Sequence, residues 1–182
     1  MDTMKSLRYL KKEGRMIESL LDILDYFIHR LDNRKDVPPY MFKEIIELLQ
    51  AYIGVSHTMR EEVILTFLGT SGIDAPTEEC DRIHTSLKKH ELFLLRVIEA
   101  YDLGYHGAKG ILSCYLKRYV SILRHHLTAE SELLARWVDN EEQRDTEILA
   151  QFKKIERGVK RTRQRGIIRM EALKKESLTV TA

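Results

Sequence analysis

The chain has 182 residues, of which 43% are hydrophobic and 32% are charged, and its formal net charge is +2. This length and balance suit one soluble domain with a sizeable core. No stretch of about 18 apolar residues is present, and residues 1–15 carry charges without the apolar core of a signal peptide. We therefore expect no membrane span and predict a cytoplasmic protein.

Helix-breaking residues are few, which predicts long uninterrupted helices. The first predicted helix has Gly14 in the middle of an apolar stripe formed by Leu7, Leu10, Ile17, Leu21, Leu24, Ile28 and Leu31. The second begins after Pro38 and Pro39, which suit a first helical turn, and ends before the loop 69–76. Its inward positions are Phe42, Ile46, Leu49, Ile53, His57, Glu61, Ile64 and Leu68.

Two further helices are predicted on either side of the glycine-rich break at residues 102–110. The third has the stripe Ile83, Leu87, His90, Leu94, Val97 and Tyr101. The fourth has the stripe Leu112, Tyr115, Tyr119, Ile122, His126, Glu130, Leu133 and Trp137. Four helices of roughly 25 residues with short loops predict an all-α fold, an antiparallel up-down-up-down four-helix bundle over residues 1–140.

Residues 141–182 are predicted to form an additional amphipathic helix and a flexible tail, the tail being SLTVTA at residues 177–182. The apolar positions of the helix are Ile148, Phe152, Ile155 and Val159. Residues 151–176 carry ten lysines or arginines against three glutamates, so this segment is basic and the rest of the chain is mildly acidic. Because no aromatic residues interleave with these charges, a solvated helix face is favoured over a nucleic-acid site. The helix is expected to cover the bundle or to contact a protein partner or a second copy.

Two copies of His-x-x-x-Glu lie within these stripes, at His57 and Glu61 and at His126 and Glu130. A spacing of four places each imidazole and carboxylate on one helical face, about a turn apart. His90 adds a third imidazole, although taken alone it fits an ordinary core histidine. Because an unpaired carboxylate in a core costs several kcal/mol, the set favours a metal site.

Imidazole and carboxylate ligands suit iron, manganese or zinc, and two carboxylates able to bridge favour a dinuclear site. Cys80 and Cys114 are interpreted as reduced thiols, and the absence of a cysteine near the motifs argues against a thiolate zinc site. The remaining histidines are expected at the surface or its boundary, with His84 close enough in sequence to approach the site: His29, His84, His106 and His125.

Four segments together resemble a hemerythrin-like, or HHE cation-binding, domain. The segment EGRMIESLLDIL resembles the first helix of that family, SHTMREEVILTFL the second, KKHELFLLRVIEAY its Glu-His-Glu helix, and LRHHLTAESELLARW the last. They follow the family's order across residues 7–138. The resemblance implies a centre of two irons, with His57, His90 and His126 as terminal ligands and Glu61 and Glu130 as bridges.

This chain departs from the family pattern on its first helix, where Gly14 replaces the usual histidine. Thr58 also stands where some members have a second histidine, and Leu94 stands where a His-x-x-x-His motif would place one. Gly14 is compatible with an open iron position, with rescue by Glu13 or Glu18, or with a bundle that has lost its metal.

The resemblance implies a non-haem di-iron protein that binds, senses or processes dioxygen, nitric oxide, peroxide or iron. The alternative is a metal-free bundle that acts as an interaction or regulatory module. An enzymatic role stays open. Three tyrosines would be redox-active groups in an enzyme and are otherwise core aromatics: Tyr101, Tyr115 and Tyr119.

Overall fold

The computed structural model describes residues 5–70, 72, 77–137 and 142–179. Over these residues the chain is all-helical, as the sequence predicts, with six α-helices, one π-helical turn and no strand. The α-helices are α1 (Lys5–Asp32), α2 (Pro39–Tyr52), α3 (Thr58–Thr70), α4 (Thr77–Asp102), α5 (Ala108–Trp137) and α6 (Glu142–Thr179), and the π-helical turn spans Ile53–His57. No helix in these ranges is long and apolar enough to cross a membrane.

The apolar stripes predicted for the first two helical segments are buried in the structure. Every apolar member of both stripes is in the core. Helix α2 starts at Pro39, with Pro38 at its N-cap, as proline's fixed φ and missing N–H favour in a first turn. The hydrophobic periodicity therefore locates the inward face of α1 and of the segment Pro39–Thr70.

A π-helical turn interrupts this second segment directly before the candidate metal ligands. The backbone N–H of Thr58 donates to the carbonyl of Ile53, five residues back, and the Thr58 hydroxyl donates to the same oxygen at 2.8 Å. Such wide turns occur mostly as single insertions in α-helices, often at functional sites. This one ends at His57, so it sets the direction in which that imidazole leaves the helix.

Helix α4 is rotated relative to the face that the sequence predicts. Its buried residues are Cys80, His84, Leu87, Glu91, Leu94, Val97 and Ile98, whereas Ile83, His90 and Tyr101 are only partly buried. Successive residues lie about 100° apart around a helix axis, and because the two faces share Leu87, Leu94 and Val97 the buried face is turned by less than that. The sequence did not resolve the two faces because Leu87, Leu94 and Val97 fit either of them.

Helix α6 contributes to the core. It packs against α1, α2, α3 and the π-helical turn. Ile148 and Phe152 join a small cluster with Leu7 and Leu10 of α1, while Met170 and Leu173 of α6 join the larger cluster. Helix α6 also continues to Thr179, beyond the point where a flexible tail was expected; residues 180–182 lie outside the described ranges. Residues 142–179 therefore share the core of the preceding helices.

Candidate metal centre

A polar layer crosses the core between the two apolar clusters. On α1 it begins at Glu13 and Gly14, between Leu10 of the smaller cluster and Ile17 of the larger one. The other helices also pass from one apolar cluster to the other at this level. The residues that they contribute to the layer are His57, Glu61, His84, His126 and Glu130. The layer therefore has apolar side chains above and below it.

Five polar side chains converge in this layer, and none is more than 9% exposed: His57, Glu61, His84, His126 and Glu130. The Nε2 atom of His57 lies 3.0 Å from Oε2 of Glu130. Oε2 of Glu61 lies 3.1 Å from Nε2 of His84 and 3.5 Å from Nε2 of His126. The Nε2 atoms of His84 and His126 are 3.3 Å apart. Three imidazoles and two carboxylates thus face one small volume.

These side chains form two groups with the spacing of metal ligands. His57, His126 and Glu130 make one group, and Glu61, His84 and His126 make the other. Within each group one potential ligand atom per residue lies within 4.8 Å of the others. His126 belongs to both groups, so the two possible metal positions are adjacent.

The carboxylates and imidazoles of the layer shift one another's pKa values. Burial alone lowers the pKa of His57, but the carboxylate of Glu130, with smaller contributions from Glu61 and Glu13, raises it to about 9. Burial raises the pKa of Glu61, but the imidazoles of His126 and His84 outweigh that effect and hold it well below its ordinary value. Without metal, the raised pKa of His57 therefore favours an imidazolium that is attracted to the carboxylate of Glu130.

Several buried atoms of the layer nevertheless lack an aligned hydrogen bond. They are both ring nitrogens of His57, Oε2 of Glu61 and Oε1 of Glu130. Two of these atoms, His57 Nε2 and Glu61 Oε2, still lie in the close ion pairs given above, whereas His57 Nδ1 and Glu130 Oε1 have neither kind of partner among the described residues. A buried polar atom without a partner costs roughly 1–3 kcal/mol, which is unusual in a core that serves packing alone. A metal ion coordinated by such nitrogen and oxygen atoms would satisfy them, so the residues present fit one.

The structure brings His84 to the site and leaves His90 outside it. Nδ1 of His90 lies 3.0 Å from the carbonyl oxygen of Ser86 on its own helix, and its ring faces Tyr115. His90 belongs to neither ligand group. The rotation of α4 explains the difference, because it turns His84 inward and His90 toward the surface. The spacing of Cys80, His84, Leu87, Glu91 and Leu94 was the signal for this face.

Glu13 and Glu18, considered as substitutes for the missing first-helix ligand, bind arginines instead. Glu13 is 1% exposed and is paired with the fully buried guanidinium of Arg60, and the Ser56 hydroxyl donates to it. Glu18 accepts a hydrogen bond from Arg124 at 3.3 Å. Neither carboxylate belongs to a ligand group.

Arg60 is a buried charge that the sequence analysis did not single out. Its Nη2 donates to Glu156 of α6 at 2.6 Å, and its guanidinium lies 5.6 Å from the ring centres of Tyr9 and Phe152. Because Arg60 precedes Glu61 and binds Glu13, it connects α6 to the polar layer. The sequence showed only an arginine inside a helix, with no sign that long-range partners would bury it.

Gly14 lies beside a cavity that reaches the polar layer. The cavity has a volume of about 630 Å³, and Glu130, Leu127 and Leu10 also line it. A Cβ atom added at Gly14 would meet only Cδ2 of Leu127, at 3.9 Å, which is an ordinary van der Waals contact. Close helix packing therefore does not explain this glycine, and the position has room for a ligand.

A second opening lies on the other side of the layer. A cavity of about 230 Å³ is lined by Gly54 and Thr58 near the π-helical turn and by His84 and Glu91 of α4. Burial raises the pKa of Glu91, and the Tyr119 hydroxyl donates to its Oε1 at 2.7 Å. The layer is thus approached by one cavity at Glu130 and by another at His84.

Cys80 lies closer to the site than the sequence analysis expected. Burial raises the pKa of its thiol to about 12, and the neighbouring carboxylate of Glu61 adds to this effect. The thiol is therefore protonated at neutral pH, and Cys80 is not a member of either ligand group. It borders the layer as a neutral side chain.

Comparison of the chain with protein-family models, with curated proteins and with solved structures gives no match. The resemblance to hemerythrin-like domains therefore rests on the four sequence segments and stays a prediction.

Proposed function

We propose that this protein holds two iron ions between three imidazoles and two carboxylates and uses them to bind, sense or process a small ligand. The supporting observation is the convergence of five buried ligand side chains between two apolar clusters, with His57 Nδ1 and Glu130 Oε1 left without a partner among the described residues. A core that served packing alone would often be as stable, or more stable, with apolar residues at these positions. Their retention is explained if they coordinate metal.

The donor atoms favour iron, with manganese or zinc as the other candidates. Imidazole nitrogen and carboxylate oxygen suit all three metals, and neither ligand group contains a cysteine. The two groups are adjacent, and a carboxylate can bridge two ions whereas a neutral imidazole binds one. His57, His84 and His126 would each hold one ion, and Glu61 and Glu130, one in each group, would bridge the two ions as the resemblance implies. His84 replaces His90 as the ligand from α4.

At Gly14 of α1, where the family pattern has a histidine, a small molecule would approach the metal ions. Bound iron would supply Lewis acidity and a change of redox state. The chain itself supplies the cavity at Gly14, which leads to Glu130 and lets a molecule enter without displacing a histidine. Dioxygen, nitric oxide and peroxide are small enough for this route.

We also infer the antiparallel up-down-up-down arrangement for α1, the segment Pro39–Thr70, α4 and α5. Each of these elements meets the polar layer well inside its ends, as ligands in the core of a four-helix bundle do. Helix α6 then lies against α1 and the segment Pro39–Thr70, consistent with its contacts.

The alternative proposal is a metal-free bundle that acts as an interaction module. The close pairs His57–Glu130 and His84–Glu61, at 3.0 and 3.1 Å, favour it because ion pairs already compensate part of the buried charge. The basic residues of α6 would then contact an acidic partner or a second copy.

Metal analysis separates the two proposals. The full chain is produced in iron-replete cells, purified without oxygen, and analysed for transition metals, with absorption spectra before and after exposure to air. The iron proposal predicts close to two irons per chain and a spectrum that changes in air. Less than about half an iron per chain, with no other transition metal, would support the metal-free module.

A further inference from the structure

A basic groove lies between α1 and α6, and none of the proposed metal ligands lines it. Its volume is about 550 Å³. Four cationic side chains line it: Arg8 and Lys12 from α1, and Lys160 and Arg163 from α6. None of them belongs to a metal-ligand group, so this groove is separate from the proposed metal centre.

Within the described part of the chain, the positive charge of the groove is only partly neutralised. Glu156 is the one carboxylate among the described lining residues, and it already accepts hydrogen bonds from Arg60 at 2.6 Å and Arg163 at 2.9 Å. Arg8, Lys12 and Lys160 have no ion pair with any described residue. Like charges one helical turn apart, such as Arg8 and Lys12, destabilise a helix. Three uncompensated cations facing one groove are therefore suited to a bound anion.

The rest of the groove offers an aromatic and apolar surface. Tyr9 is 40% exposed, while its ring packs edge-on against Phe152 at 6.3 Å between ring centres. Met16 and Ile167 also line the groove and are partly buried against the core. An exposed aromatic ring beside apolar side chains favours a flat, partly apolar ligand.

We propose that this groove binds a phosphate monoester that carries a planar ring, of the class represented by nucleoside monophosphates. A phosphate monoester carries nearly two negative charges at neutral pH and accepts several charge-assisted hydrogen bonds, which matches Arg8, Lys12 and Lys160. The ring would lie against Tyr9 and the neighbouring apolar side chains. The groove volume is within the range of small-molecule sites, about 300–1,000 Å³.

Calorimetric titration with three probes tests the two halves of this proposal. Adenosine monophosphate has both the phosphate and the ring, inorganic phosphate lacks the ring, and adenosine lacks the phosphate. We expect saturable binding of one adenosine monophosphate per chain, at least about fivefold tighter than either of the other probes. Absence of saturable binding, or equal binding of adenosine, overturns the proposal.

Charge-neutralising variants test whether the groove itself binds the probe. Lys12→Gln and Lys160→Gln should each weaken binding of adenosine monophosphate about tenfold, because each removes a charge-assisted contact. Lys154→Gln is the matched control, since Lys154 is exposed on α6, does not line the groove, and is changed by the same charge. Equal weakening in all three variants would show general attraction to a basic helix and refute a defined site. None of these outcomes bears on the metal proposal.

Discussion

Replacing His84 by alanine tests whether His84, which the structure brings to the site, or His90, which the sequence predicted, is the metal ligand from α4. His84 Nε2 lies 3.1 Å from Glu61 Oε2 and 3.3 Å from His126 Nε2, so its removal leaves two of the three side chains in that ligand group. Loss of outer-shell partners alone weakens metal binding about 10- to 100-fold. Loss of a direct ligand should therefore weaken the affected position at least about 100-fold, which corresponds to about 2.7 kcal/mol.

His90→Ala is the matched control, because it changes the same residue type on the same helix, six positions away. His90 contacts the Ser86 carbonyl and Tyr115 and no proposed ligand. Anaerobic titration with iron(II), read by absorption and by metal retained after desalting, compares the variants with the unmodified chain. We expect His84→Ala to lose affinity at one position and His90→Ala to keep both. Circular dichroism of the metal-free proteins checks that both variants fold. The assignment is refuted if His90→Ala loses metal while His84→Ala retains it.

Three further predictions test the core, the open position and the buried carboxylate. Phe152→Ala should lower the free energy of unfolding by about 3–5 kcal/mol in urea titrations, because Phe152 of α6 is 2% exposed and packs in the cluster that contains Leu7 and Leu10. The control Ile168→Ala, at an exposed position of the same helix, should change the free energy of unfolding by less than about 0.5 kcal/mol. Similar effects of the two variants would contradict the packing of α6. Gly14→His should bind iron at least as tightly and react more slowly with dioxygen in stopped-flow absorbance, since a Cβ at Gly14 has room; a lower melting temperature with no gain in iron would defeat the open-site proposal. Burial raises the pKa of Glu91 above its ordinary 4.5, so Glu91 contributes to folding stability at low pH and loses that contribution as its carboxyl ionises in the folded state. The melting temperature of Glu91→Gln should therefore rise relative to that of the unmodified chain between about pH 5 and about pH 8. A melting-temperature difference that does not vary with pH would contradict this.

The all-helical fold followed from the sequence because the relevant signals are local. Long apolar stripes at helical spacing, interrupted by the prolines and by the glycine-rich stretch at residues 102–110, indicate which parts of the chain are helical. The inward faces of α1 and of the segment Pro39–Thr70 were predicted in this way and confirmed. The π-helical turn Ile53–His57 was not, because its sequence is compatible with an ordinary α-helix.

The candidate ligands were predicted where both halves of a motif share one helix. His57 with Glu61, and His126 with Glu130, are buried in one layer as their spacing of four suggested. Helix α4 carries His84 on one possible inward face and His90 on the other, so which of them lies in the layer depends on how the helix is rotated about its axis. That rotation follows from packing against α5 and α2, which periodicity alone does not determine.

Ion pairs between residues far apart in the chain were the features least predictable from the sequence. Arg60 is buried by partners 47 and 96 residues away in the sequence, Glu13 and Glu156. An arginine next to a ligand motif gives no indication that it will join α1 to α6. The sequence left open whether α6 covers the bundle or contacts a partner, because a basic amphipathic helix fits either role; its apolar positions Ile148 and Phe152 are buried in the structure.

The central claim is that the polar layer holds two metal ions, and an anaerobic titration of the metal-free chain with iron(II) tests it most directly. With both ligand groups intact, we predict that binding saturates at two equivalents per chain, and that Glu61→Ala and Glu130→Ala each abolish most of it because a bridge contacts both ions. A single break at one equivalent would contradict a dinuclear centre. No binding above that of a chain with both glutamates replaced would contradict the metal site altogether.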